Sequence, residues 1–147
     1  MLKNISSILI FVILVSACEK SPVKEGGGKF GMLDSNLPEF AAIGFFEHIY
    51  NEQDLKGAIK LSTPKMGRLL RSYHNNRGVQ RYVLNMQFDK VAIESKSRSA
   101  GRDEFAKKAQ ISLFFEGELN GDILKDIRLV ELIKIGDSWK VDEVSVN

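Results

Sequence analysis

Acid–base chemistry in this chain rests on very few side chains. Two histidines, His48 and His74, and one cysteine, Cys18, are the residues that could titrate or react near neutral pH. Among the carboxylates, Glu131 stands out, because Leu129, Glu131 and Ile133 alternate onto one strand face, with Ile127 and Ile135 beyond them. A carboxyl enclosed by aliphatics would hold its proton to unusually high pH and serve as acid, base or ligand anchor. The same residue at a strand bend would be exposed, or paired with a lysine or arginine. His48 falls about 100° around a helix from Ile49, at the border of that helix's apolar stripe. A His48–Glu131 dyad is therefore a candidate acid–base pair. His74 reads as a surface residue or a helix-terminal cation. Two histidines and a lone cysteine provide no metal-ligand spacing, and Gly26-Gly27-Gly28 is not preceded by the strand that a phosphate loop requires. No cofactor is expected.

A second feature is segregated charge. Lys56, Lys60, Lys65, Arg68, Arg71, Arg77 and Arg81 lie in Leu55 to Phe88, a stretch with no acidic residue. Lys65, Arg68 and Arg71 fall opposite an apolar stripe. They form either the solvated side of an amphipathic helix or a basic binding face for anionic lipid heads, peptidoglycan carboxylates or an acidic envelope protein. The formal net charge is only +2 at pH 7, which argues against nucleic acid as a partner.

The elements that must position these residues follow from periodicity. Asn36-Leu37-Pro38 is a cap-then-proline start. Ala42, Phe45, Phe46 and Ile49 then predict one buried helical face ending near Tyr50-Asn51. A shorter helix is expected from Asp54 to Leu61. Ser62-Thr63-Pro64 opens a third helix with Met66, Leu69, Leu70 and Tyr73 inward, stopped by Asn75-Asn76-Arg77-Gly78. Val79, Tyr82, Val83 and Met86 suit one more short helix or a strand. From Phe88 the period becomes that of strands, near 88–95, 107–119, 125–135 and 139–146. Ser97 to Asp103, Asn120-Gly121-Asp122 and Gly136-Asp137-Ser138 are the breaks. Trp139 and Val141 share one phase, whereas Val144 and Val146 take the other, which predicts a bulge near Asp142-Glu143.

Helices followed by antiparallel strands make an α+β fold, the helices packed on one face of a sheet of about four strands. The Phe45-Phe46 pair, Ser62-Thr63-Pro64 and the terminal Gly136-Asp137-Ser138-Trp139-Lys140-Val141 are similar to small exported members of the nuclear transport factor 2-like superfamily. The resemblance spans residues 37–147. It implies a strongly curved, cone-like sheet around the first helix, with a pocket at its mouth. Ketosteroid isomerase, scytalone dehydratase and limonene epoxide hydrolase place Asp, Tyr and His in such a pocket, so a small hydrolase, isomerase or dehydratase using Glu131 or His48 is one expectation. The other is a non-catalytic binding or assembly module, since the fold hosts both.

The amino-terminal segment concerns address. Ile5 to Ala17 is apolar but short of the roughly 20 residues a membrane-spanning helix needs. With Lys3 before it and small residues after it, it reads as a removable export signal, residues 1–17. Val15-Ser16-Ala17-Cys18 resembles the bacterial lipobox, which implies cleavage before Cys18 and covalent lipid on its sulfur; an ordinary secretory leader with an unpaired cysteine is the alternative. Residues 19–36, with Pro22 and Gly26-Gly27-Gly28, read as a tether, flexible over about 25 Å on average. Glu19, where an aspartate tends to retain such lipoproteins at the inner membrane, implies the periplasmic face of the outer membrane, or the plasma membrane in a single-membrane host.

Overall fold

The computed structural model describes residues 34–100 and 107–146, with side chains for 34–96 and 107–145. Cys18, the export signal and residues 19–33 of the tether lie outside the described residues. Helix α1 is Pro38–Tyr50. Its N-cap is Leu37 rather than Asn36, held extended (φ −85°, ψ 144°) because the following proline excludes the helical region. Asp34 forms the preceding turn instead, its carboxylate accepting from the Asn36 amide at 2.9 Å. Ala42, Phe45, Phe46 and Ile49 are fully buried, and Ala41, Ile43 and Tyr50 are buried as well. Helix α1 is thus covered nearly all round, as a central helix is.

Helices α2 (Leu55–Lys60) and α3 (Pro64–Arg71) follow. Thr63 caps α3, Oγ1 accepting from the Met66 amide at 3.3 Å. The α2–α3 connection also runs along the last strand. Thr63 N–H donates to Val141 O at 2.9 Å, and Val141 N–H donates to Leu61 O at 2.8 Å. That contact covers part of an otherwise open sheet edge. Beyond α3 the structure corrects two expectations. Leu69 is 43% exposed instead of joining Met66 and Leu70 in the core. Asn75 starts a helical turn rather than stopping one: its Oδ1 accepts from the Gly78 amide at 2.7 Å, after His74 reverses the chain at φ 58°. The turn Asn76–Gly78 continues into a π-helical segment, Val79–Val83, the helical alternative for that stretch.

Four strands, β1 (Lys90–Ala100), β2 (Lys108–Leu119), β3 (Asp122–Ile135) and β4 (Ser138–Val146), form one antiparallel sheet in chain order. β1 runs past the polar break expected at Ser97, because Ser97 to Ala100 pair with Ser112 to Ala109. Lys96 is the extra residue of a bulge in β1, and Asp142 of one in β4. The β4 bulge resolves the phase slip: Val141 lies opposite Leu132 and Val144 opposite Val130, so both phases reach the core. Helix α1 touches all four strands. Between them Phe45, Phe46, Tyr50, Phe88 and Phe115 interlock, Phe46 edge-on to Phe115 at 4.9 Å and Tyr50 edge-on to Phe88 at 5.6 Å. Gly117 admits this packing, since a Cβ there would lie 2.4 Å from Lys90 O and 2.7 Å from Phe88 Cδ1.

Candidate functional site

The inner face of β3 is Arg128, Val130 and Leu132, all buried. Glu131 therefore points the other way, onto the solvent face of the sheet. It is not enclosed by aliphatics. Its neighbours are Gln110, whose Nε2 donates to Glu131 Oε1 at 3.4 Å, and Glu143, paired opposite it on β4. Lys108, Gln110, Glu131 and Asp142 line an open depression of about 400 Å³. The expected phase fails because β3 is apolar on both sides; Ile127, Leu129, Ile133 and Ile135 alternate as cleanly as Val130 and Leu132, and packing on α1 selected the latter.

His48 faces the α1–α2 junction. Its buried Nδ1 is 2.5 Å from Glu52 Oε2 and 4.0 Å from Asp54 Oδ2. Gly57 makes room for the ring: a Cβ there would sit 2.7 Å from His48 Nδ1. Because α1 packs on the inner face of the sheet and Glu131 stands on the outer one, the structure does not bring the two together as a dyad. Sequence reasoning missed the acidic partners, although His48 and Glu52 have the i, i+4 spacing of helical neighbours. His74 is exposed beyond the end of α3.

One turn from this junction, buried Glu47 accepts from Asn51 Nδ2 at 2.6 Å. Burial pushes its carboxyl above the ordinary range, partly offset by that hydrogen bond. Asn51 also meets β1 like a strand residue, donating to Val91 O at 2.9 Å and accepting from Val91 N–H at 3.3 Å. Asn76 Nδ2 donates to the His48 and Ile49 carbonyls at 3.2 and 2.9 Å, closing the end of α1. The polar cluster around α1's last turn is thus committed to joining α1, β1 and the Asn76–Gly78 turn.

At the other polar spot, Arg128 is 6% exposed and reaches Asp126 Oδ2 through Nη2 at 2.6 Å and Nε at 3.1 Å. Nearby, the buried Tyr50 hydroxyl donates to Met86 O at 2.6 Å, and burial holds its phenol well above the usual range. Asn85, Gln87, Leu124 and Asp126 line a shallow space of about 290 Å³ here. Arg128 escaped sequence reasoning for the same reason that Glu131 was misplaced.

The basic set divides. Lys65 is taken by β4, its Nζ 3.2 Å from Glu143 Oε2 and 3.8 Å from Asp142 Oδ2. Arg77 pairs with Asp89 at 2.7 Å. Arg68 and Arg71 are exposed with no carboxylate partner among the described residues, and the same holds for Arg81. Beside them lie the exposed Leu69 and Tyr82, the latter 65% exposed and stacked on Tyr73 at 5.8 Å. This arrangement offers positive charge and apolar surface together. Its signal in the sequence was the missing acidic residue; the apolar half was hidden by placing Leu69 on the inward stripe of the third helix and reading Tyr82 only as part of a short helix or strand. Among the described residues, no group of three His, Cys, Asp or Glu is arranged to hold a metal, and no helix is long and apolar enough to cross a membrane.

Comparison with known proteins yields fold alone. No family model matches the chain, and no curated protein matches it. Among solved structures it is similar to the SEC-C motif containing protein RPA3114 from Rhodopseudomonas palustris. The TM-score is 0.60 at 11% identity, over 80% of this chain and 84% of that one. An NTF-2 like protein of unknown function from Shewanella oneidensis aligns with TM-score 0.47 and 12% identity, over 73% of this chain and all of that one.

Proposed function

We propose that this chain is a lipid-anchored envelope protein whose domain, of nuclear transport factor 2-like type, is a non-catalytic binding module working through its outer surface. The observation that carries the second half is the filled interior. Phe45, Phe46, Tyr50, Phe88 and Phe115 fill the space between α1 and the sheet, where enzymes of this architecture keep a pocket. Glu131 and His48, the two candidate acid–base groups, are on opposite sides of the sheet, the latter engaged with Glu52. Support for the domain type comes from the order of elements, from α1 lying against all four strands, and from Trp139 directly after the last hairpin turn. The anchor is supported by the apolar leader and Val15-Ser16-Ala17-Cys18. A thioether-linked diacylglycerol with an amine-linked chain provides the multiple acyl chains that stable membrane residence needs.

Native mass spectrometry on chain extracted gently from its own envelope tests both halves. The expected species begins at Cys18, carries acyl mass and holds no further small molecule. A stoichiometric small adduct beyond the lipid overturns the non-catalytic reading. A chain lacking acyl mass overturns the anchor.

A further inference from the structure

The face built from α3 and the π-helical segment has the composition of a surface that rests on an anionic bilayer. Arg68 crowns the exposed side of α3, one position from Leu69 and three from Arg71, while Met66 and Leu70 hold the opposite side in the core. On the Leu69 flank, Tyr73 follows one turn later and stacks on Tyr82, with Arg81 adjacent in the chain. An exposed aliphatic and an exposed tyrosine between arginines are side chains that partition to the lipid headgroup layer, the ring amphipathic and the guanidinium free to meet phosphate. The charges are available because, among the described residues, Arg68, Arg71 and Arg81 meet no carboxylate, whereas Lys65 is held by Asp142 and Glu143 and Arg77 by Asp89.

The geometry points to this face as a docking surface for anionic phospholipid headgroups, Arg68, Arg71 and Arg81 contacting phosphate and Leu69 and Tyr82 entering the interfacial layer. The inference rests on the proposed anchor. From Cys18 to Pro38 the chain can extend to about 70 Å, well beyond the roughly 30 Å width of a domain this size. The tether therefore permits any face to meet the bilayer, and local chemistry selects which one does. A polybasic patch beside an acyl anchor is the second signal that makes membrane attachment composition-sensitive.

The test uses the full acylated chain, in which Cys18 sulfur is consumed by the lipid, so that Ser72→Cys provides a unique thiol. Ser72 is exposed, one turn beyond Arg68. Labelled there with an environment-sensitive fluorophore, the protein is reconstituted into vesicles of phosphatidylcholine alone or with one-third phosphatidylglycerol. The expected result is a several-fold brightening in the phosphatidylglycerol vesicles, reversed by 0.5 M salt and by Arg68→Glu/Arg71→Glu/Arg81→Glu, with no response from a label at Asp137→Cys on the β3–β4 turn. Equal emission in both vesicle types overturns the proposal, as does an equal response at position 137. A label that stays dark on phosphatidylglycerol but brightens on native envelope overturns it in favour of an acidic protein. Flotation with phosphatidylcholine vesicles reads the anchor separately, so failure of the tether reading is not mistaken for failure of this one.

Discussion

Tyr50 combines a buried ring with a paired hydroxyl, which donates to the Met86 carbonyl at 2.6 Å. Tyr50→Phe keeps the ring contacts but leaves that acceptor without its donor, so it should lower unfolding free energy by about 1–3 kcal/mol, measured by urea titration. Glu47 gives a pH-dependent expectation. Its carboxyl is raised by burial, so the folded state holds this proton more tightly than the unfolded chain. Its contribution is fully present below the unfolded carboxyl value and is lost as pH rises through the folded one. The stability of the natural chain relative to Glu47→Gln should therefore decline from pH 4 towards neutrality; urea titrations of both at pH 4, 5.5 and 7 check it, and a rising difference would contradict the assignment. His48 was legible as a border residue of α1, but its acidic surroundings depend on where α2 turns back.

At the scale of elements, Thr63 joins three of them. Its hydroxyl donates to Asp142 at 2.8 Å and caps α3, while its backbone pairs with β4. Thr63→Val should cost about 1–2 kcal/mol of unfolding free energy, in the range of lost helix caps. Gly117→Ala should cost at least about 1–3 kcal/mol, because the added methyl meets the Lys90 carbonyl and Phe88 in a filled core. Both are read from denaturant midpoints. Helix starts and strand turns were legible because proline, Asn-Gly and Gly-Asp-Ser act within a few residues. The face of β3 was not, since two apolar phases compete and only the packed helix chooses between them. Leu69 shows the same limit: its spacing is that of a core residue, but the fold leaves it exposed while Met66 and Leu70 are buried.

For the whole molecule, anchor and domain make separable expectations. Cys18→Ala should remove the acyl mass and shift the chain out of the properly processed envelope fraction, checked by intact mass and fractionation. Glu131→Gln should leave both the fold and any envelope contact unchanged, because the carboxylate it removes is exposed and a glutamine can keep its contact with Gln110. Loss of an envelope phenotype in Glu131→Gln, with stability retained, would restore the open depression beside it as the working site.

Local order and class were carried by the chain itself. The α+β succession, the four strands, the β4 bulge and the acid-free stretch from Leu55 to Phe88 all come from spacing and charge, which act along the sequence. Tertiary structure decided which side of each element is inside. It turned Glu131 outward, buried Arg128 against Asp126, assigned Lys65 to β4 and left Arg68, Arg71, Leu69 and Tyr82 together in solvent. Burial is a property of the partner surface as much as of the residue, and the partner is known only once the helices have settled on the sheet.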